Sequence, residues 1–283
     1  MSKNGVKRII FSQYTNNLKP WSLKGPNQSA PDHKREKFEA YKQHLEGLHK
    51  VYASRCNADY LLIQPDVDNY VDVQLEKILA LGDFVKEGYE QICYLDFDVV
   101  PNTEKNIFEE LDLNFINALS LERSYKGHMK TNDHGRIRDA RFQDLLDYDA
   151  FDPQNVYVKT SAKNAMLQLE DFDTSPCLIN TGVVTSGKDA ILKLDFEARL
   201  QECKDMLDEA REDSLYPEEI SKYFKYNNEV FFTYLIEKYE VPFYDTGYAW
   251  NFILDKKRPE MPRHNEIAHL IHHVNKEFEL SFG

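Results

Sequence analysis

The chain has 283 residues, 42% of them hydrophobic, and a formal net charge of -13. That length suits one α/β domain with a sizeable core. The acidic balance, with no basic face in the sequence, excludes a general nucleic-acid binder, which needs many cations against phosphates.

Taken in chain order, Val6 to Phe11 reads as a first strand, with Ser12, Tyr14 and Thr15 where its carboxyl end opens into a loop. Leu18 to Pro31 is turn-rich. From about His33 to Cys56, Phe38, Tyr41, Leu45, Leu48 and Tyr52 recur at helical spacing. "ADYLLIQPD" reads as a second strand, and a second helix spans roughly Val73 to Glu87, with Leu75, Ile78, Leu79 and Val85 inward and Gly88 as a stop. In "QICYLDFDVVPN", residues 91–102, Ile92 to Leu95 read as a buried third strand with Asp96 and Asp98 at its end, where the chain reaches the turn residues Pro101 and Asn102, and "FINALSLER" from Phe115 gives another strand, ending at Glu122 and Arg123. Alternating strands and helices predict an α/β fold with a mostly parallel central sheet flanked by helices, whose ligands gather beyond the carboxyl ends of the strands.

Residues 124–176 are polar and irregular, and are read as an insertion or flap. "CLINTGVVTSG", residues 177–187, resumes strand character on both sides of Asn180, Thr181 and Gly182. A charged helix follows from about Lys188 to Glu212, then a helix in "NNEVFFTYLIEKY" capped near Asn227 or Asn228. "VPFYDTGYAWNF" is strand-like, and "IAHLIHHVNK" near the end holds His269, His272 and His273. No repeat or linker divides this single domain. Cys56, Cys93, Cys177 and Cys203 lack CxxC spacing, which fits free thiols in a reducing compartment. The apolar run at the N-terminus is too short for a signal peptide, and no segment approaches the length of a membrane span, so a cytoplasmic location without an integral membrane segment is expected.

The chemistry concentrates at Asp96 and Asp98. In extended chain, residues i and i+2 face the same side, and two carboxylates there repel unless a positive charge sits between them. Oxygen ligands of this kind suit Mg²⁺ or Mn²⁺, and such an ion would neutralise a diphosphate. The bland alternative is a loop cap at Asp96 and an ion pair at Asp98. Lys77 on a charged helix reads as a solvated side chain, and Gly182 as a tolerated strand kink. Glu229 is a first-turn helix acid or a reactive carboxylate.

"YLDFDVV" resembles the hydrophobic-DxD motif of GT-A fold glycosyltransferases, and the order of the surrounding features is similar to the glycogenin-like group, family 8. The resemblance implies one GT-A, Rossmann-like domain over 1–283, with a nucleotide-sugar-binding half at 1–123 and an acceptor half at 177–283 that carries a C-terminal metal ligand. It further implies Ser12, Tyr14, Lys77, Asp96 and Lys276 at the donor nucleotide, and Asp96, Asp98 and His272 on Mn²⁺ (or Mg²⁺). His272 is chosen because "LIH" matches the family's strand end. The implied partners are a nucleotide-sugar, UDP-sugar favoured, and a glycan or other hydroxyl acceptor. Asn180, Glu229 and Asp245 are the implied catalytic positions, with Glu229 or Asp245 as base if configuration inverts and the leaving phosphate if it is retained; the group tilts toward retention. Two departures stand out: "HHVNKEF" lacks the family's glycine and Pro-Trp, and Asn228-Glu229 stands in place of Asp-Gln.

Two other classes fit parts of the pattern. "DFDVV" satisfies the D-x-D-x-[TV] motif of haloacid dehalogenase-type phosphatases, with Asp96 as nucleophile and Asp98 as general acid. That motif normally sits on the first strand, and no downstream "GDxxxD" completes it here. A non-catalytic sugar- or nucleotide-binding module would keep the same fold and aromatics.

Overall fold

The computed structural model describes residues 5–14, 32–65, 70–122, 153–209, 228–254, 267–274, 276 and 278. In chain order the elements are β1 (Arg8–Gln13), α1 (Asp32–Arg55), β2 (Asp59–Ile63), α2 (Tyr70–Lys86), β3 (Gln91–Leu95), β4 (Val99–Pro101), α3 (Ile107–Glu110) and β5 (Ile116–Ser120). They continue with α4 (Pro153–Leu169), β6 (Ile179–Gly187), α5 (Lys188–Leu194), α6 (Phe196–Glu209), α7 (Asn228–Lys238), β7 (Phe243–Asp245), β8 (Phe252–Ile253) and β9 (Leu270–His272).

The fold is mixed α/β. A six-stranded sheet has the order β2-β1-β3-β6-β5-β7. Pairings β1/β2, β1/β3 and β5/β7 are parallel while β6 is antiparallel to both its neighbours, so β6 alone is reversed in an otherwise parallel sheet. A small second sheet, β4-β9-β8, stands beside it.

Alternation along the strands divides the core between the two faces of the sheet. Ile9 and Phe11 of β1, Ile92 and Tyr94 of β3 and Val184 of β6 pack with Leu75, Ile78, Leu81 and Phe84 of α2 and with buried residues of α7. The opposite side chains, Ile10, Cys93, Leu95 and Val183, meet Tyr52 of α1 and Ile107 and Phe108 of α3. A third cluster, with Phe38, Phe97, Phe252, Ile271 and Phe278, ties the small sheet to α1. Cys56 and Cys93 are buried free thiols, and Cys177 is a half-buried one.

Three sequence readings are corrected. The first strand begins at Arg8, because its partners in β2 and β3 start at Asp59 and Gln91 and Lys7 instead offers its carbonyl to the loop at Glu90. The charged helix is two helices broken at Asp195, which adopts a left-handed φ of 42°. The irregular stretch contains α4, a 17-residue helix. Its buried face carries Lys159, Thr160 and Lys163 among Val156, Ala162 and Met166, so the apolar periodicity that announces a helix is interrupted. The segments read at 15–31 and 123–152 lie outside the described residues.

Phe11 is fully buried, and its ring lies 4.9 Å from Phe84 and 5.1 Å from Tyr94. Phe11→Ala is expected to destabilise the fold by about 3–5 kcal/mol, read as a lower urea midpoint at unchanged m.

Candidate metal centre and its surroundings

The apolar run of β3 carries the chain into the middle of the main sheet, between β1 and β6, and it emerges at Asp96. There the backbone turns. Asp96 donates its N–H to the carbonyl of Gly182 (2.7 Å) and accepts from Val99 N–H (2.9 Å), so the turn is held from β6 and from its own far side. Phe97 points into the aromatic cluster, with ring centroids 5.3 Å from Tyr14 and 5.6 Å from Phe38. Asp96 and Asp98 share the other side, as the alternation argument expects, although a turn and not a strand places them there.

β4 then pairs with β9 in antiparallel register, Val99 opposite His272. This pairing brings the tail imidazole to the centre of the chain. His272 Nε2 lies 3.6 Å from an Asp96 oxygen and 3.5 Å from an Asp98 oxygen. Both separations are too long for hydrogen bonds. One ligand atom from each of the three residues falls within 4.8 Å of the others. An ion bound at about 2.0–2.2 Å to two oxygens and an imidazole nitrogen fits that spacing, and the mixed oxygen and nitrogen donors suit a first-row divalent cation. Asp98 and His272 are buried, and Asp96 is partly open to solvent. The other two histidines do different work: the His269 ring sits on Trp250 (4.6 Å), and His273 gives its N–H to the carbonyl of Asp98 (3.0 Å) while its ring meets Phe278.

Two lysines flank the carboxylates, one on each. Lys77 of α2, only 8% exposed, places Nζ 3.2 Å from Asp96 Oδ1 and 3.4 Å from the carbonyl of Thr181. Tyr94 O–H donates to the same Asp96 oxygen (2.6 Å), and burial pushes that phenol well above its ordinary range, so it stays a donor. Lys276 Nζ pairs with Asp98 Oδ2 and lies over the Phe38 ring (4.8 Å). Burial opposes ionisation of Asp98, but the Lys276 ammonium and His272 outweigh it and hold the carboxyl well below the usual carboxylate range. Lys276 reaches its partner from a left-handed backbone, φ 60°, a conformation that costs a non-glycine residue roughly 1–2 kcal/mol.

Asn180 on β6 is buried behind the imidazole. Its Oδ1 accepts from Gly182 N–H (3.0 Å) and from Asn251 Nδ2 (2.7 Å), and its Nδ2 donates to Glu229 Oε1 (2.7 Å). Asn251 Oδ1 lies 3.2 Å from His272 Nδ1. Glu229, in the first turn of α7, meets Lys159 of α4 through its other oxygen at 2.7 Å. Thr181 hydroxyl donates to Asn228 Oδ1 (3.1 Å). Sequence reasoning missed Asn251 and Lys159. Asn251 sat inside a stretch read as plain strand, and Lys159 in the unassigned middle of the chain.

Ser12, Tyr14 and Asp245 are held by partners of their own. Ser12 is fully buried and shares a 2.8 Å hydrogen bond with His49 Nδ1, while His49 Nε2 lies 2.6 Å from the carbonyl of Val99. A carbonyl only accepts, so Nε2 carries the proton and the Ser12 hydroxyl donates to Nδ1. Tyr14 is buried between Phe38 and Phe97, with Lys42 Nζ over its ring at 3.9 Å. Asp245 caps a turn: its Oδ1 accepts from the backbone N–H groups of Ser120 (2.9 Å) and Gly247 (3.0 Å).

No protein-family model matches the chain, and no curated protein matches it. Among solved structures, it is similar to a glycosyltransferase involved in glycosylation of the major capsid of PBCV-1, at 14% identity over 94% of this chain and 93% of that one, TM-score 0.46. It is also similar to mouse xyloside xylosyltransferase 1 (12% identity, 95% and 98% covered, TM-score 0.39) and to an active-site mutant of LgtC (10% identity, 94% and 87% covered, TM-score 0.39).

Two outcomes test this geometry. A Cβ on Gly182 would stand 2.4 Å from His272 Cε1 and 2.6 Å from Nδ1, so Gly182→Ala must displace the imidazole. It is expected to weaken Mn²⁺ binding by roughly 10–100-fold, measured by titration calorimetry on protein that still unfolds cooperatively. The second concerns pH. Burial lowers the His49 pKa from 6.5 to about 4. The unfolded chain therefore takes up a proton in a range where the native protein does not, and stability falls as pH drops from 6.5 through about 4. The loss amounts to roughly 3 kcal/mol, seen as the difference in pH slope between the wild type and His49→Gln in denaturant unfolding.

Proposed function

We propose that the protein is a divalent-metal-dependent glycosyltransferase of GT-A type that moves a hexose from a nucleoside-diphosphate sugar, UDP-sugar favoured, to a hydroxyl of a glycan or other acceptor. One observation carries the reading: two carboxylates from the end of a central strand meet a tail imidazole, with a lysine paired to each carboxylate. Asp96, Asp98 and His272 would hold Mn²⁺ or Mg²⁺. When bound, the ion would supply positive charge for the diphosphate that leaves the sugar.

The charge count supports a diphosphate partner. Lys77 and Lys276 already balance Asp96 and Asp98, so a divalent ion entering alone would add two uncompensated positive charges to a largely buried pocket. A diphosphate restores the balance and gives both ammonium groups oxygen acceptors. Lys276, from the mobile end of a long side chain, would turn from Asp98 to the departing phosphate, and Lys77 would steady Asp96 or reach the same group.

We read the transfer as retaining. Both oxygens of Glu229 are committed, to Asn180 and to Lys159, so it is not arranged as a general base, and Asp245 holds a turn through one of its oxygens. A leaving phosphate oxygen would then take the acceptor's proton, with Asn180 and the Gly182 backbone beside the sugar. The phosphatase alternative asks for a nucleophilic Asp96. Here that carboxylate accepts from Tyr94 and Lys77, which lowers its nucleophilicity, and the third partner of the pair is an imidazole. Among the described residues no helix is long and apolar enough to cross a membrane. The free thiols fit the cytoplasm proposed from the sequence.

The test is calorimetry with Mn²⁺, UDP and both together, followed by UDP release from UDP-sugars. Measurable but weak binding is expected for Mn²⁺ alone and much tighter binding for the pair, with Asp98→Asn abolishing both and Lys276→Met weakening the pair roughly 10–100-fold. Metal-independent UDP binding, or p-nitrophenyl phosphate hydrolysis lost in Asp96→Asn, would overturn the transferase.

A further inference from the structure

We infer that Lys159 and Glu229 are positioning residues for the metal centre, acting through Asn180 and Asn251 to fix the proton of His272 on Nδ1. The inference rests on the metal site proposed above and extends it by two elements, α4 and α7, that hold none of its ligands.

The argument is one of donor and acceptor polarity. An ammonium only donates and a carboxylate only accepts. Lys159 Nζ lies 2.7 Å from Glu229 Oε2, and Glu229 Oε1 lies 2.7 Å from the Asn180 amide, which must therefore present its NH₂. That orientation turns Asn180 Oδ1 toward the N–H of Gly182 (3.0 Å), a fixed backbone donor, and toward Asn251 (2.7 Å). Facing an oxygen, Asn251 also presents NH₂, and its own Oδ1 is left pointing at His272 Nδ1, 3.2 Å away. A carbonyl oxygen at that position demands Nδ1–H. The lone pair is then on Nε2, the nitrogen 3.5 and 3.6 Å from the two aspartates.

Every link is one-way, and its direction is set at the ends by the carboxylate of Glu229 and the amide of Gly182. Asn180, Asn251, Glu229 and His272 are all at most 7% exposed, so water does not readily stand in for a misdirected partner. An imidazole in the other tautomer would turn an N–H toward the ion and could not ligate it. The buried Lys159–Glu229 pair is thus connected to the proposed metal site through three side chains, Asn180, Asn251 and His272.

The chain makes an unusual demand on substitutions. Gln at 229 offers one oxygen where two donors, Lys159 and Asn180, compete for it. If Lys159 takes it, the Asn180 amide must invert against Gly182 N–H, and the conflict passes to Asn251 and His272. Glu229→Gln should therefore lower affinity for Mn²⁺ alone, measured by electron paramagnetic resonance without nucleotide, by about 10–100-fold. It should also change the ¹⁵N shifts of the His272 ring, assigned by comparison with His272→Gln. Adding Lys159→Met removes the competitor, and the double variant should regain Mn²⁺ affinity to within about threefold and the wild-type ring signature. A purely structural ion pair predicts no such recovery.

Wild-type Mn²⁺ affinity and ring shifts in folded Glu229→Gln would overturn the inference, as would a double variant no better than the single one. Loss and recovery of Mn²⁺ binding in a protein that transfers no sugar would uphold it while the transferase reading failed. Mn²⁺ binding unaffected by Asp98→Asn would remove both.

Discussion

The pairing of Val99 with His272 is the constraint on which the rest of the molecule's chemistry depends. β9 is three residues long, and side chains in a strand alternate between faces, so a slip of one position would turn the imidazole away from the aspartates and put His273 or Ile271 in its place. Short strands hold register poorly by backbone bonds alone. Here the register is fixed on both sides: Asn102 N–H reaches the carbonyl of His269 (2.8 Å), His273 N–H reaches that of Asp98 (3.0 Å), and Leu254 N–H reaches that of His272 (2.9 Å). Ile271 and Leu270 are buried on opposite sides, in different clusters, so either slip would also expose or mispack an apolar side chain.

A centre so placed pays an electrostatic cost. Asp98, Glu229, Lys77, Lys159 and His272 are buried, and removing such groups from water costs several kcal/mol each unless partners compensate. Compensation is visible at each. Carboxylates meet ammonium groups, the ammonium of Lys77 also lies over the Tyr94 ring at 4.9 Å, and Lys276 lies over Phe38. Such pairs contribute little net stability, and apolar residues would serve a core better. Three of them, Lys77–Asp96, Lys276–Asp98 and Lys159–Glu229, are linked to the strand end that carries Asp96 and Asp98, and this is the physical argument for a ligand there.

Much of this was legible in the sequence because it is written in local patterns. The apolar runs of β1, β3 and β6, the stripes of α1 and α2, and the paired aspartates after "ICYL" all carry a period or a composition that survives without tertiary context. "LIH" was enough to choose His272 from three histidines, and the structure puts that ring beside the carboxylates. α4 failed for the opposite reason. Lysines normally mark a solvated face, yet Lys159 and Lys163 face inward to Glu229 and to Glu237 on α7, whose distance in sequence conceals the pairing. The partner of Ser12 was hidden in a related way, since position at a strand's carboxyl end says nothing of His49, 37 residues on, which takes its hydroxyl.

Asn251 was beyond reach of any pattern. A primary amide has no periodic signature and no charge, and its value depends on which end faces which neighbour, a property of three-dimensional arrangement only. Gly182 was singled out in the sequence but its role there was not legible, since its missing Cβ makes room for the imidazole and no backbone angle requires it. The candidate ion ligands are acidic or imidazole side chains and so announce themselves by type. Residues that orient them need only the right atom at the right distance, and these come from β6, the turn before β8, α7 and α4. Chemistry in this chain is therefore legible by residue type where charge is needed and hidden where direction is needed, and that asymmetry follows from the short range of hydrogen bonds compared with the strength of an uncompensated charge.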